Sequence, residues 1–416
     1  MKKILIFLGI GLTLMISDTA AIYGTTWKGE ELKRMRREAA WKFGPFRIQP
    51  MLMLTNAGYD SNVYGTPYNK IKDYTFTAGP AFNIYLLIKK KILLSLYESP
   101  QYVYFFETAR ERTWNNYFNG QMHLLLNKFL ISARAGLSDA RERWNTEIDI
   151  RPRRKEESVQ ESILWQASAK TSFSISSRKA KYDYESLEYE RFNVKELLSR
   201  EENYLNFVGY YQLSFRMKLF VDGEYGVFNF DNPLSLRNSR SYGVYGGFEF
   251  SPFAKIRGRI HLGYKFFNSL APERQDYKGL VGDTNVQLRL LRRLGVRAVY
   301  KRDVQFSLWY DNTYFLENRV GGGASFYVHK KIRLDYDYSL GKNSYPQKGE
   351  QPPFGNSSQN TVKRKDDYSI HSVGIYYRLK EKVGIGVVLS KWVRDSNLDW
   401  EDDQRTLVGI NLTYDF

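Results

Sequence analysis

The chain has 416 residues, a formal net charge of +17, no cysteine and 16% aromatic residues, with 32 Tyr, 26 Phe and 8 Trp. The lack of cysteine excludes disulfides, thiolate nucleophiles, cysteine metal sites and a cysteine-linked lipid anchor. Beyond the first residues no stretch approaches eighteen consecutive apolar residues, which excludes a helical membrane protein.

Lys2 and Lys3 precede an uncharged apolar run from Ile4 to Ile16, followed by Asp18, Thr19, Ala20 and Ala21. The run is shorter than the ~20 residues of a spanning helix. This order of charge, apolar stretch and small residues reads as a secretory signal peptide over residues 1–21. Residues 22–45 then form a periplasmic segment. Leu32, Met35, Ala39 and Phe43 recur at spacings of three and four, which predicts a short helix over Glu30–Phe43. So short a helix is too small to plug a wide lumen; it is expected to pack under the barrel or lie loose, and a plug or lever at the periplasmic mouth is the other reading.

From residue 46 to residue 416 the chain is a string of hairpins with two alternating kinds of connection. One kind is short and basic: Lys89-Lys90-Lys91, Asn127-Lys128, Ser177-Arg178-Lys179, Arg216-Met217-Lys218, Pro252–Lys255, Arg292-Arg293, His329-Lys330-Lys331 and Lys380-Glu381-Lys382. The other kind is longer and polar, near residues 60–72, 108–112, 139–157, 185–202, 231–240, 268–276, 302–312, 341–366 and 394–403. Eight turns and nine loops join about eighteen strands, within a range of roughly 16–20 given how loosely sequence defines element ends. Outer-membrane barrels have short periplasmic turns and long external loops, and an even strand count returns both ends to the periplasm.

The strands themselves carry two faces. Leu205, Phe207, Gly209, Tyr211, Leu213 and Phe215 alternate with Asn206, Val208, Tyr210, Gln212, Ser214 and Arg216, and Ile256, Gly258, Ile260, Leu262, Tyr264 and Phe266 alternate with Arg257, Arg259, His261, Gly263 and Lys265. Successive strand residues point to opposite sides. Closing the sheet lets lipid cover the apolar side and leaves no unpaired edge. The predicted fold is therefore all-β: a transmembrane, antiparallel, up-and-down barrel. Abundant Tyr and Trp suit its two membrane–water borders.

An eighteen-strand barrel is wide enough for an aqueous channel. The inward phase of three consecutive strands collects Arg257, Arg259, His261, Lys265, Arg289, Arg297 and Lys301, a candidate pore-lining stripe that would favour anions. The competing reading is that these side chains pair with inward acids, of which Asp222, Glu224, Glu249, Asp283, Asp335 and Asp337 are candidates. Tyr210, Phe220, Phe228, Tyr245 and Tyr327 share the inward phase and would suit a sugar path if they lined one surface. Basic residues alternating with lipid-facing ones do not make the open basic face that nucleic acid needs.

Only four histidines exist: His123, His261, His329 and His371. None sits in a motif that marks a nucleophile and base, so no catalytic, cofactor or metal site is expected. A hydrolytic site at the barrel rim is the least favoured alternative. A conduit or accessory barrel in polysaccharide or lipid export is another.

The final strand alternates Thr406, Val408, Ile410, Leu412, Tyr414 and Phe416 with Arg405, Gly409, Asn411, Thr413 and Asp415. Its ending, with Tyr414 and the terminal Phe416, resembles the C-terminal signal strand that barrel-assembly machinery reads in bacterial outer-membrane proteins. Near the other end, Ala57–Gly65 reads AGYDSNVYG. Its Gly-Tyr-Asp-Ser-Asn segment resembles that of a family of outer-membrane β-barrel porins. The resemblance implies a porin-type barrel in the bacterial outer membrane with no catalytic residues. The expected partners are outer-membrane lipid and lipopolysaccharide, the assembly machinery, small hydrophilic or anionic solutes and, as a candidate, further copies of the chain. The solute, the constricting loop and the oligomeric state are not legible in the sequence.

Overall fold

The computed structural model describes residues 41–89, 91–147, 150–189, 192–252, 254–309, 312–348 and 362–416. The expected signal peptide and most of the expected helix lie outside these residues. Eighteen long strands follow in order. They are β1 (Phe46–Asp60), β2 (Asp73–Ile88), β3 (Ile92–Phe105), β4 (Thr113–Leu125), β5 (Phe129–Arg141), β6 (Arg153–Gln166), β7 (Thr171–Tyr184), β8 (Arg200–Ser214) and β9 (Met217–Phe230). The second half comprises β10 (Ser239–Phe250), β11 (Ile256–Ser269), β12 (Tyr277–Arg289), β13 (Leu294–Phe306), β14 (Tyr314–His329), β15 (Ile332–Ser344), β16 (Lys365–Lys380), β17 (Val383–Ser396) and β18 (Asp403–Asp415). Each pairs antiparallel with its neighbour in sequence, and β1 pairs with β18 to close the ring. Closure removes the sheet edge, the requirement for strands in lipid.

The pleat sorts the side chains as the sequence pattern predicts. Outward on β8 stand Leu205, Phe207, Tyr211 and Leu213, all well exposed; on β18 the outward side is Val408, Ile410, Leu412 and Phe416. Aromatic side chains meet on the outward face near the external ends, as Tyr59 with Tyr74 at 5.6 Å and Tyr225 with Tyr242 at 5.0 Å between ring centres. These belong at a membrane border.

Seven of the eight expected basic turns join strands where predicted, and all nine long loops fall at the opposite end. The exception is Ser177-Arg178-Lys179, which lies inside β7. The turn is instead at Ala167–Lys170, where Ser168 Oγ accepts hydrogen bonds from the backbone N–H of Lys170 and Thr171 at 3.2 and 3.0 Å. The misreading has a cause: from Ser177 onward the outward face of β7 is polar, so apolar alternation fades halfway along the strand. A second correction concerns Trp41–Phe43, expected to end the helix. These residues form a short strand against β1, with Lys42 opposite Arg47, turning at Gly44 whose φ is +54°. The short strand sits on the edge of β1 just beyond the end of β18, and Trp41 packs on Phe416 with ring centres 5.9 Å apart.

Candidate functional site

The luminal wall is an array of ion pairs. Of the predicted stripe, Arg259 and His261 both approach Asp222 at 3.5 Å, and Lys265 holds Asp303 at 2.8 Å with Glu224 at 3.9 Å. Arg297 pairs with Asp337 at 2.5 Å and Lys301 with Glu317 at 2.7 Å. Lys301 and Glu317 lie on adjacent strands, whereas the other pairs reach over one intervening strand, which long basic side chains lying along the inner wall can span. Two members of the stripe differ. Arg257 and Arg289, near the periplasmic ends of β11 and β12, have no acidic partner among the described residues. Asp222, Glu224 and Asp337 serve as the inward partners the sequence suggested, and Asp335 pairs with Arg333 at 2.8 Å.

The inward aromatics do not line an open path. Tyr210, Phe220, Phe228 and Tyr245 are all buried. Phe220 is covered by the Arg259 guanidinium 4.0 Å above its ring, and His261 stacks on Tyr245 at 4.3 Å. Only Tyr327 is exposed, apart from the others near the periplasmic end. Their faces are spent on the wall.

The Gly58–Asn62 segment turns out to clasp the closing seam. The Asp60 carboxylate, buried, accepts from Arg405 on β18 at 2.9 and 2.5 Å and from the Asn62 backbone N–H at 3.1 Å. Ser61 Oγ accepts from the Thr406 backbone N–H at 2.7 Å, and Asn62 Nδ2 donates to Asp403 at 3.0 Å. One turn below, Asn56 adopts φ +53° in a bulge and donates its N–H to Asn411 Oδ1 at 2.9 Å. Gly58 is needed for close approach: a Cβ there would lie 1.9 Å from the Val408 carbonyl oxygen. Gly58→Ala should therefore lower stability by about 1–3 kcal/mol, as overpacking does. Loss of heat-resistant electrophoretic mobility at a lower temperature would show it, and an unchanged transition would refute it.

At the external end the loops fold inward and knit together. The loop between β5 and β6 carries Glu147 across to the far wall, where Ser307 Oγ donates to it at 2.5 Å and the Leu308 backbone N–H at 2.7 Å. Thr146 bonds Asn343 on β15 at 3.2 Å. Arg394 on β17 donates Nη1 to the Glu147 carbonyl at 2.9 Å and Nε to the Glu401 carbonyl at 2.6 Å. Arg364 binds Asp366 at 2.9 Å and Glu401 at 2.9 Å, over the Tyr345 ring at 4.9 Å. Coming the other way, Leu308 packs on Ala180, Tyr182 and Tyr184 of β7 and on Val194, Leu197 and Leu198 of the loop after it. Arg364, Asp366, Arg394 and Glu401 are each no more than 2% exposed. Together these loops form a packed plug over the lumen. Burial pushes the Glu147 carboxyl above its ordinary range. Sequence reading missed this cluster, because its members sit in loops with no periodicity; the density of both charge signs in those loops was the only signal.

The outlying predicted residues are also placed. Tyr414 faces outward opposite Leu52 and Val383, and its ring lies 4.9 Å from that of Phe416. Among the histidines, His123 Nδ1 lies 2.8 Å from Ser132 Oγ, its direct cross-strand neighbour, and His371 Nδ1 lies 3.4 Å from Tyr336 Oη.

The profile of a family described as Putative beta-barrel porin 2 matches residues 39–416. Solved structures with a similar arrangement include OpdO of Pseudomonas aeruginosa at 10% identity, covering 89% of this chain and 97% of that chain with a TM-score of 0.45. OpdQ of the same organism aligns at 8% identity over 89% and 98%, with a TM-score of 0.45. The siderophore receptor PirA of Pseudomonas aeruginosa aligns at 10% identity over 89% and 80%, with a TM-score of 0.42. No curated protein sequence matches the chain.

Proposed function

The chain belongs to the Putative beta-barrel porin 2 family, and from that membership we propose that it passes small hydrophilic solutes across the outer membrane with a preference for anions. The barrel is of porin type, and its closed wall with a polar, ion-paired inner face supports an aqueous path. The anion preference is carried by one observation. Among the described residues Arg257 and Arg289 have no acidic partner, and both lie near the periplasmic ends of their strands. Around them every one of the eight short turns bears an exposed Lys or Arg, with Glu381 the sole acid in those turns. The other five residues of the stripe are neutralised where they stand. Fixed unpaired cations at a pore mouth raise the local concentration of anions and repel cations.

The test is the reversal potential of the refolded mature chain in a planar bilayer under a salt gradient. Arg257→Glu with Arg289→Glu should move the potential toward cation selectivity. Lys265→Gln with Asp303→Asn, which removes a pair and leaves the net charge unchanged, should leave it near the wild-type value. A potential that ignores the first pair and follows the second would overturn this assignment.

Several finer readings belong to the same proposal. Residues 1–21 are the cleaved export signal, and the segment to residue 45 stays in the periplasm. Tyr414 and Phe416 present the strand end that the assembly machinery reads, with Trp41 resting on it in the finished barrel. The protein is not an enzyme. A rim hydrolase would have to use His123 and Ser132, whose contact follows simply from being neighbours in register. The loop plug places control of the path at the external end.

A further inference from the structure

On most strands the outward side is apolar for about the 25 Å that a bilayer core requires. The wall formed by β6 and β7 breaks this rule. Outward from the periplasmic end, β6 presents Trp165 and Ile163, then Glu161, Val159, Glu157 and Lys155; β7 presents Phe173 and Ile175, then Ser177, Lys179, Lys181 and Asp183. Glu161 is five residues up from Gln166. At 3.3 Å per residue and a strand tilt near 40° that puts it only about 13 Å above the periplasmic ends, well inside the apolar band. Lys155 pairs with Glu157 at 2.5 Å and Lys179 with Glu201 of β8 at 2.8 Å, yet Lys155, Glu157 and Lys179 keep half or more of their side-chain surface free. A charge facing lipid at that depth costs roughly 2–4 kcal/mol for a base and less for an acid. Glu98 on β3 is another outward acid at this height, but it stands alone, whereas this wall carries both signs.

The two signs are arranged so that the wall complements itself. In register, Glu161 lies beside Ser177, Val159 beside Lys179, Glu157 beside Lys181 and Lys155 beside Asp183. A two-fold axis along the membrane normal between β6 and β7 would set β6 of one copy against β7 of the other. Glu157 would then face Lys181 of the second copy and Lys155 would face Asp183, with Glu161 and Lys179 one inter-residue step off the same line. Such an isologous contact sets opposite charges against each other on both sides of the axis and excludes lipid from them. A partner of single sign would leave half of these groups unmatched. We propose that a second copy of this chain covers the β6–β7 wall, making the barrel a two-fold dimer in the membrane. The inference rests on the barrel being embedded in a bilayer, not on what it conducts.

The absence of native cysteine makes the test direct. Ser177→Cys lies beside the proposed axis; Leu334→Cys faces outward on β15, on the opposite wall. In intact outer membranes, a bis-maleimide spanning about 10 Å, the spacing of packed sheets, should link Ser177→Cys into a species of twice the chain mass. It should leave Leu334→Cys single. Adding Lys179→Glu and Lys181→Glu to Ser177→Cys should abolish the link, and further adding Glu157→Lys and Glu161→Lys should restore it. Heat-modifiable mobility confirms that each variant is folded, and conductance is recorded separately, so loss of the dimer and loss of the channel are told apart. Equal linking at both positions, or linking at Ser177→Cys that survives the first reversal, overturns the proposal.

Discussion

Arg394→Ala should open the external end of the barrel. The side chain is buried and holds the loop carrying Glu147 to the loop carrying Glu401 through two carbonyl oxygens, at 2.9 and 2.6 Å. Its removal leaves both carbonyls without that donor and weakens the charge balance around Glu401, which among the described residues then depends on Arg364. Breaking a buried ionic contact from one side costs about 3–5 kcal/mol. Spread over a loop equilibrium, even 3 kcal/mol shifts the open-to-closed ratio by roughly 100-fold. Single-channel recordings should show rare openings in the wild type and long open steps in the variant. Equal open probability in both would sink the idea that the plug controls the path.

The same plug should answer to pH through Glu147. Its folded-state carboxyl titrates above the ordinary range because it is buried. The packed form therefore binds the proton more tightly than the opened form does. Stability of the plug is fully present below the ordinary carboxyl range and is lost as pH rises through the folded-state value. Openings should become more frequent as pH rises. Glu147→Gln, which keeps an acceptor for Leu308, should hold the plug shut and flatten this dependence; a variant with the wild-type profile would assign it elsewhere.

Asp60→Ala should have the largest effect on the barrel itself. The carboxylate satisfies a two-point contact from Arg405 and the N–H of Asn62 at the only seam that is not a hairpin. Arg405 is partly exposed, so water recovers some of the loss, and about 2–4 kcal/mol is expected. The transition at which the folded species disappears from unboiled gels should fall clearly. Asp60→Asn, which keeps acceptors but not charge, should fall less. A wild-type transition for Asp60→Ala would mean that the clasp is ornamental.

Much of this barrel was legible in the sequence because lipid and water impose a period of two on every strand. Inward and outward residues of β8, β11 and β18 follow directly from it. Turn chemistry located all but one connection. The failure at Ser177–Lys179 is instructive, since the strand was hidden by the same outward polar side chains that later point to a partner. The pore stripe was legible as a set of inward residues, but not as a functional unit. Whether Lys301 is a free charge depends on Glu317, sixteen residues away and set diagonally across from it by a register that no local pattern encodes. The plug lay further out of reach, because Glu147 meets Ser307 across the width of the barrel.

The clasp at Gly58–Asn62 also bears on when the molecule becomes a barrel. Seventeen of the eighteen strand pairings join neighbours in the chain, and each can form as soon as its second strand exists. The last joins Asp60 to Arg405, 345 residues apart. Loop closure over that distance is slow, and until it happens β1 and β18 are bare edges able to pair with any other strand. A polar clasp with a demanding geometry accepts its own partner and rejects an arbitrary strand. The Gly58–Asn62 segment would then act as a proofreading step in closure.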